Sequence, residues 1–191
     1  ASLKDAAGVQ NVASILQQFS QEQLVIVVSA MGKTTNALEE VVAAYVKQTG
    51  QAQELYEAFK EKHYAIMRDL FEPGDEVFTV INDTFVEGEW MLEEKPSDNY
   101  DYIYDQIVCM GELVCSKIVA AYLNKVNLKT TWLDARDVVA TDNTYREGWV
   151  IWEKTQANAQ KIVPPLFEQG NFVITQGFIG STSENFTTTL G

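Results

Sequence analysis

Three places in the sequence gather side chains that could do chemistry. The first is Val27–Asn36, VVSAMGKTTN, where an apolar run gives way to Ser29, Thr34 and Thr35 around Gly32. Those hydroxyls can donate to a carboxylate, and the helix that follows offers a positive N-terminus. Gly32-Lys33-Thr34 imitates the end of a phosphate-binding loop. The full pattern needs a glycine where Val27 stands, so that reading is rejected. A turn capped by Thr34 or Thr35 is the structural alternative.

The second place is Glu112. On a helix over residues 100–123, Ile103, Ile107, Met110, Val114 and Ile118 form one apolar stripe. Val108, Cys115, Val119 and Leu123 form another, nearly opposite, and Glu112 falls inside it. A helix apolar on two sides is buried on two sides. A carboxylate there needs a partner or becomes neutral. A substrate amino group and a structural lysine or arginine are both open as that partner.

The third is Val173–Gly191, VITQGFIGSTSENFTTTLG. A strand ends at Gly177, and a polar loop leads through Thr187, Thr188 and Thr189 to Gly191. Such strand–glycine–hydroxyl segments present backbone N–H groups to anions. Asp134 and Asp137 flank Arg136 after another strand, and salt bridging or capping is favoured over metal binding. No metal site is expected.

These side chains need a scaffold. Helices are predicted over 2–19, with Ser2 and Asp5 as a capping pair, and over 36–46, 52–70, 75–92, 100–123 and 156–169. Pro164 and Pro165 would bend or interrupt the last. Strands are predicted over 24–28, 129–133 and 172–175, with a short one at 138–140. The first reads as a central strand covered on both faces. Strands alternating with helices imply an α/β, three-layer α/β/α fold with a mostly parallel sheet, carrying a helical insertion at about 52–98.

Bulk properties narrow the function. The 191 residues allow one core and carry a formal charge of −13, which disfavours nucleic acid and anionic membranes as partners. No apolar run is read as membrane-spanning, and a cytoplasmic protein is expected. Cys109 and Cys115 are expected as buried free thiols, His63 as a surface residue, and Trp149 and Trp152 as packing residues.

Four segments, in order, resemble the aspartate kinases of the amino-acid kinase family. They are Ser2–Ile15, the Val27–Asn36 turn, Gly111-Glu112-Leu113 through Asn124, and Thr175-Gln176-Gly177-Phe178 with Thr187–Gly191. The resemblance implies phosphoryl transfer from ATP, with Mg²⁺, to the β-carboxylate of L-aspartate in lysine, threonine and methionine synthesis. It implies that Ser29 and Thr35 line the aspartate site, that Glu112 meets the substrate ammonium and that Phe178 shapes the pocket. Ser2, Gly177 and Gly191 would approach the nucleotide, and the parent enzyme would be a homo-oligomer. Ala1 stands where the family has threonine. The family's lysine would precede Ser2, and its Arg-Gly-Gly-Ser-Asp segment would follow Gly191. The chain is thus expected to be the amino-acid-binding lobe, without the nucleotide lobe or regulatory ACT domains, and inactive alone. Another carboxylate kinase of the fold, such as a glutamate or acetylglutamate kinase, and a non-catalytic amino-acid-binding module are the alternatives.

Overall fold

The computed structural model describes residues 3–191. Ser2, expected to cap the first helix and to meet the nucleotide, lies outside the described residues. Helix α1 (Ala6–Gln17) is capped by Asp5, whose carboxylate accepts from the Gly8 N–H at 2.9 Å. It buries Val9, Ala13 and Leu16.

Strand β1 (Leu24–Val28) leads into α2 (Thr34–Val46), and α3 (Ala52–Leu70) and α4 (Val77–Glu93) follow. Helix α3 has the predicted bounds, and the insertion is an aromatic-cored pair of helices. Tyr56 donates to the Phe85 carbonyl at 3.0 Å. A Cβ on Gly88 would lie 2.1 Å from the Tyr56 hydroxyl, so only glycine fits there. His63, expected on the surface, is 0% exposed, with its ring 4.7 Å from that of Phe59. Tyr56, Phe59, His63, Ile66, Met67 and Leu70 share the buried face of α3.

The single helix expected over 100–123 is two abutting helices, α5 (Tyr100–Val108) and α6 (Met110–Lys125), which meet at Cys109. By length and composition the Tyr100–Lys125 stretch could cross a membrane, which the sequence reading overlooked. Its most apolar window is 78% buried in protein, and it is the core helix. Both cysteines are buried and free, as expected.

Strands β2 (Thr130–Trp132) and β3 (Phe172–Gln176) complete a parallel sheet of order β1-β3-β2. Leu24 and Thr130 both pair with Phe172. Strand β3 is buried at every residue. Strand β1 is not the central strand expected: it lies at an edge, with Val25 47% and Val27 61% exposed. The predicted strand at 138–140 is reduced to a bridge between Ala140 and Ser181.

Helix α7 (Trp152–Leu166) starts earlier than predicted and runs through Pro164 and Pro165 in its last turn. Trp149 and Trp152, expected to pack, are each 74% exposed. The polar loop expected after Gly177 is instead an antiparallel hairpin of β4 (Ile179–Ser181) and β5 (Thr187–Thr189). Hydroxyl partners make this possible. Thr188 bonds Thr141 at 2.7 Å, Thr189 donates to Asp105 at 2.6 Å, and Thr187 accepts from Arg136 at 3.3 Å. Buried threonines are tolerated because each hydroxyl is matched.

Candidate functional site

Parallel strands β1 and β3 end side by side, and their carboxyl ends are where open α/β sheets bind ligands. The turn after β1 begins with Ser29, which is exposed. The turn after β3 is Gly177-Phe178. A Cβ on Gly177 would sit 3.3 Å from the Val27 side chain and 3.9 Å from the Ser29 hydroxyl oxygen, so the two turns touch. Phe178 has φ +69°, which turns the chain from β3 into the hairpin and leaves its ring half-buried.

The first turn of α6 approaches the same place. A Cβ on Gly111 would meet the Ala30 Cβ at 3.0 Å and the Thr34 methyl at 3.1 Å. That close approach brings Glu112 to the turn, where its Oε1 accepts from the Ala30 N–H at 3.4 Å. Glu112 is 3% exposed, and its Oε2 has no hydrogen-bond partner. No lysine or arginine pairs with it among the described residues, so the structural ion pair left open by the sequence is not formed there. Burial pushes its carboxyl up to about 7, against a weak opposing pull from the Ala30 N–H.

The two threonines of the α2 N-terminus divide. Thr34 is fully buried; its hydroxyl donates to the Met31 carbonyl and accepts from Lys62 Nζ at 3.2 Å. Neither threonine side chain caps α2, whose N-cap is Lys33. Thr35 is half-buried, and the Thr35 and Ser29 hydroxyls make no side-chain hydrogen bond among the described residues. Gly32 takes φ +58° and gives its N–H to the Leu3 carbonyl, so it does not cradle a phosphate. The structure therefore gathers Ser29, Glu112, Gly177 and Phe178 around the strand ends, with Thr35 one turn along.

The other candidates are structural or set apart. Asp134 caps the short 3₁₀ turn Ala135–Asp137 and pairs with Arg136 at 2.7 Å, as the sequence suggested. No metal-holding group of three His, Cys, Asp or Glu occurs among the described residues. The Gly177 N–H is spent on the Val28 carbonyl at 3.1 Å. Gly191 is exposed at φ +84°.

Sequence reasoning missed Gln176, Asp105 and Gln106. Gln176, at the end of β3, is buried; it accepts from the Ala135 N–H at 2.8 Å and donates to Ser116 at 2.8 Å. Asp105 is 0% exposed and holds the end of β5. Its signal was available: it interrupts the apolar residues of α5 as Glu112 interrupts those of α6.

A buried carboxyl with an unpartnered oxygen, beside a turn with unengaged hydroxyls, supplies the groups that can bind a small zwitterion. The carboxylate meets an ammonium, and the hydroxyls meet a carboxylate. Aspartokinase 1, chloroplastic, from Arabidopsis thaliana is 29% identical over 199 residues, covering 100% of this chain and 34% of the relative. Lysine-sensitive aspartokinase 3 from Escherichia coli is 30% identical over 171 residues, covering 87% of this chain and 36% of the relative. The chain thus spans about a third of the length of these curated relatives. The crystal structure of E. coli aspartokinase III in complex with lysine and aspartate superposes with a TM-score of 0.87 at 25% identity, covering all of this chain and 42% of that one. A second structure of aspartokinase III, with aspartate and ADP, has a TM-score of 0.85. The sequence model described as the amino acid kinase family matches residues 1–191, and the chain belongs to that family.

Proposed function

We propose that this chain is the amino-acid-binding lobe of an aspartate kinase, whose full-length protein transfers the γ-phosphoryl of ATP to the β-carboxylate of L-aspartate. The observation that carries the reading is Glu112: a buried carboxylate with one unpartnered oxygen where the turns after β1 and β3 meet. An orphaned carboxylate costs stability unless a ligand cation completes it. Glu112 receives the substrate ammonium, Ser29 and Thr35 donate to its carboxylates, and the Phe178 ring forms a wall.

In the reaction a β-carboxylate oxygen attacks the γ-phosphorus, a new P–O bond forms and the bond to the ADP oxygen breaks. The carboxylate is already ionised, so no general base is needed. The role of these residues is positioning. ATP as donor follows from the kinase family and from the related structure with ADP. Contacts to it through Gly177 and Gly191 have weaker support, since the Gly177 N–H is already engaged. The described residues offer no metal cluster, so no step is assigned to Mg²⁺.

The test is steady-state kinetics of the full-length protein with Glu112→Gln. The aspartate KM should rise about 100-fold, the loss of one charge-assisted contact, while the ATP KM moves little. An unchanged aspartate KM removes Glu112 from the site. Turnover of L-glutamate or N-acetylglutamate in place of L-aspartate reassigns the substrate.

A further inference from the structure

We propose that Asp105 is a positioning residue that holds the Phe178 wall of the amino-acid pocket at a fixed distance from Glu112. This inference rests on the proposed aspartate site. Asp105 is fully buried on α5, and three donors converge on its carboxylate. Its Oδ2 accepts from the backbone N–H groups of Thr189 and Arg146, each at 2.9 Å. Its Oδ1 accepts from the Thr189 hydroxyl at 2.6 Å. These donors come from two separate segments, the end of β5 and the loop before α7. Arg146 itself sits in the left-handed region at φ +65°, where the loop turns.

The neighbouring side chain adds a second clamp. The Gln106 amide behaves as a strand partner to Thr187: Nε2 donates to its carbonyl at 2.8 Å and Oε1 accepts from its N–H at 3.1 Å. Consecutive residues of α5 therefore pin both ends of β5. One residue beyond the clamp, the Leu190 N–H donates to the Phe178 carbonyl at 2.9 Å. The path from Asp105 to the Phe178 turn is thus two residues, Thr189 and Leu190, and two hydrogen bonds.

Asp105 also lies on the same helical run as Glu112, two turns earlier. Both walls of the pocket are referenced to that run. Glu112 is carried on it, and Phe178 is tied to it through Thr189. A charged clamp fits this task because one carboxylate accepts from all three donors at once.

The experiment compares Asp105→Asn, Thr189→Val and Thr189→Ser in the full-length protein, with folding checked by thermal melting. Asparagine turns half of the acceptor into a donor, and valine removes only the hydroxyl bond. Aspartate KM should rise about tenfold in D105N, less in T189V, and return toward wild type in T189S, with ATP KM nearly constant. The double variant D105N/T189V should depart from the product of the two, since both alter one shared bond. An aspartate KM unchanged in folded D105N and T189V overturns the proposal, as does an equal rise in both KM values. If the wild-type protein neither binds nor phosphorylates aspartate, the functional reading fails and the clamp is judged by amide exchange. Faster exchange confined to residues 178–190 in T189V supports it, and exchange equal to wild type overturns it.

Discussion

Among the described residues, two buried side chains each carry a polar atom without a partner: His63 Nε2 on α3 and Glu112 Oε2 at the strand ends. They look alike as isolated facts and differ in everything around them. His63 Nδ1 donates to the Phe59 carbonyl, 2.9 Å away, and its remaining faces meet aromatic rings from α3 and α4. Nothing there could receive a ligand. Glu112 sits where the turns after β1 and β3 meet, beside the unengaged Ser29 hydroxyl and the Phe178 turn. An unsatisfied atom marks a candidate site only where complementary donors from neighbouring turns accompany it.

The comparison has an electrostatic form too. Burial raises the Glu112 carboxyl from its ordinary value of 4.5 to about 7. Its folded form binds the proton more tightly than the unfolded chain does. The resulting stability is fully present below about pH 4.5 and is lost as pH rises through about 7. Burial lowers His63 from 6.5 to about 4, against a smaller opposing effect of the Phe59 carbonyl. Its stability contribution is present above pH 6.5 and is lost as pH falls through about 4. Two burials of the same kind thus tilt stability in opposite directions with pH.

The largest expected effect breaks the Glu112 side of the comparison. Replacing Glu112 with glutamine removes the cost of ionising a buried carboxylate. The ligand-free variant should be more stable than wild type at pH 8, by up to about 3 kcal/mol, and the gain should vanish near pH 4.5. Denaturant titrations across that range check it. A difference independent of pH would mean that the Glu112 carboxyl is not raised in the free protein. The other side is broken by His63→Leu, which removes the titrating ring while keeping an apolar filling. Relative to wild type it should gain roughly 3 kcal/mol between pH 7 and pH 4. Its aspartate KM should stay unchanged, since His63 lies outside the site. A shift in that KM would connect the insertion to the pocket and erase the distinction.

These residues also show what a sequence discloses. Glu112 was legible because it interrupts an apolar stripe on a long helix, and helical periodicity is the strongest local signal. Helix α3 was legible at its observed bounds for the same reason. His63 was misread because its charged neighbours Lys60, Glu61 and Lys62 dominate the local composition. The stripe through Phe59, Ile66 and Leu70 would have placed it inside. The β4–β5 hairpin was not legible at all. Its strands are three residues long and carry glycine, serine and threonine, and they hold together through partners remote in sequence: Asp105, Arg136 and Thr141. Strand β1 was read correctly as a strand and wrongly as covered, because five apolar residues specify an element and not its neighbours. Likewise, the exposure of Trp149 and Trp152 follows from their place before and at the start of α7, which buries none of its residues.

The most direct test of Glu112 as the ammonium acceptor is a calorimetric titration of the full-length protein with L-aspartate at pH 6, in two buffers of different ionisation enthalpy. With its carboxyl near 7, Glu112 is mostly protonated in the free protein at that pH and must ionise to hold the ammonium. Binding should therefore release about one proton in wild type and none in Glu112→Gln, whose affinity should be much weaker. Tight aspartate binding without proton release, or release that persists in the variant, would contradict the account.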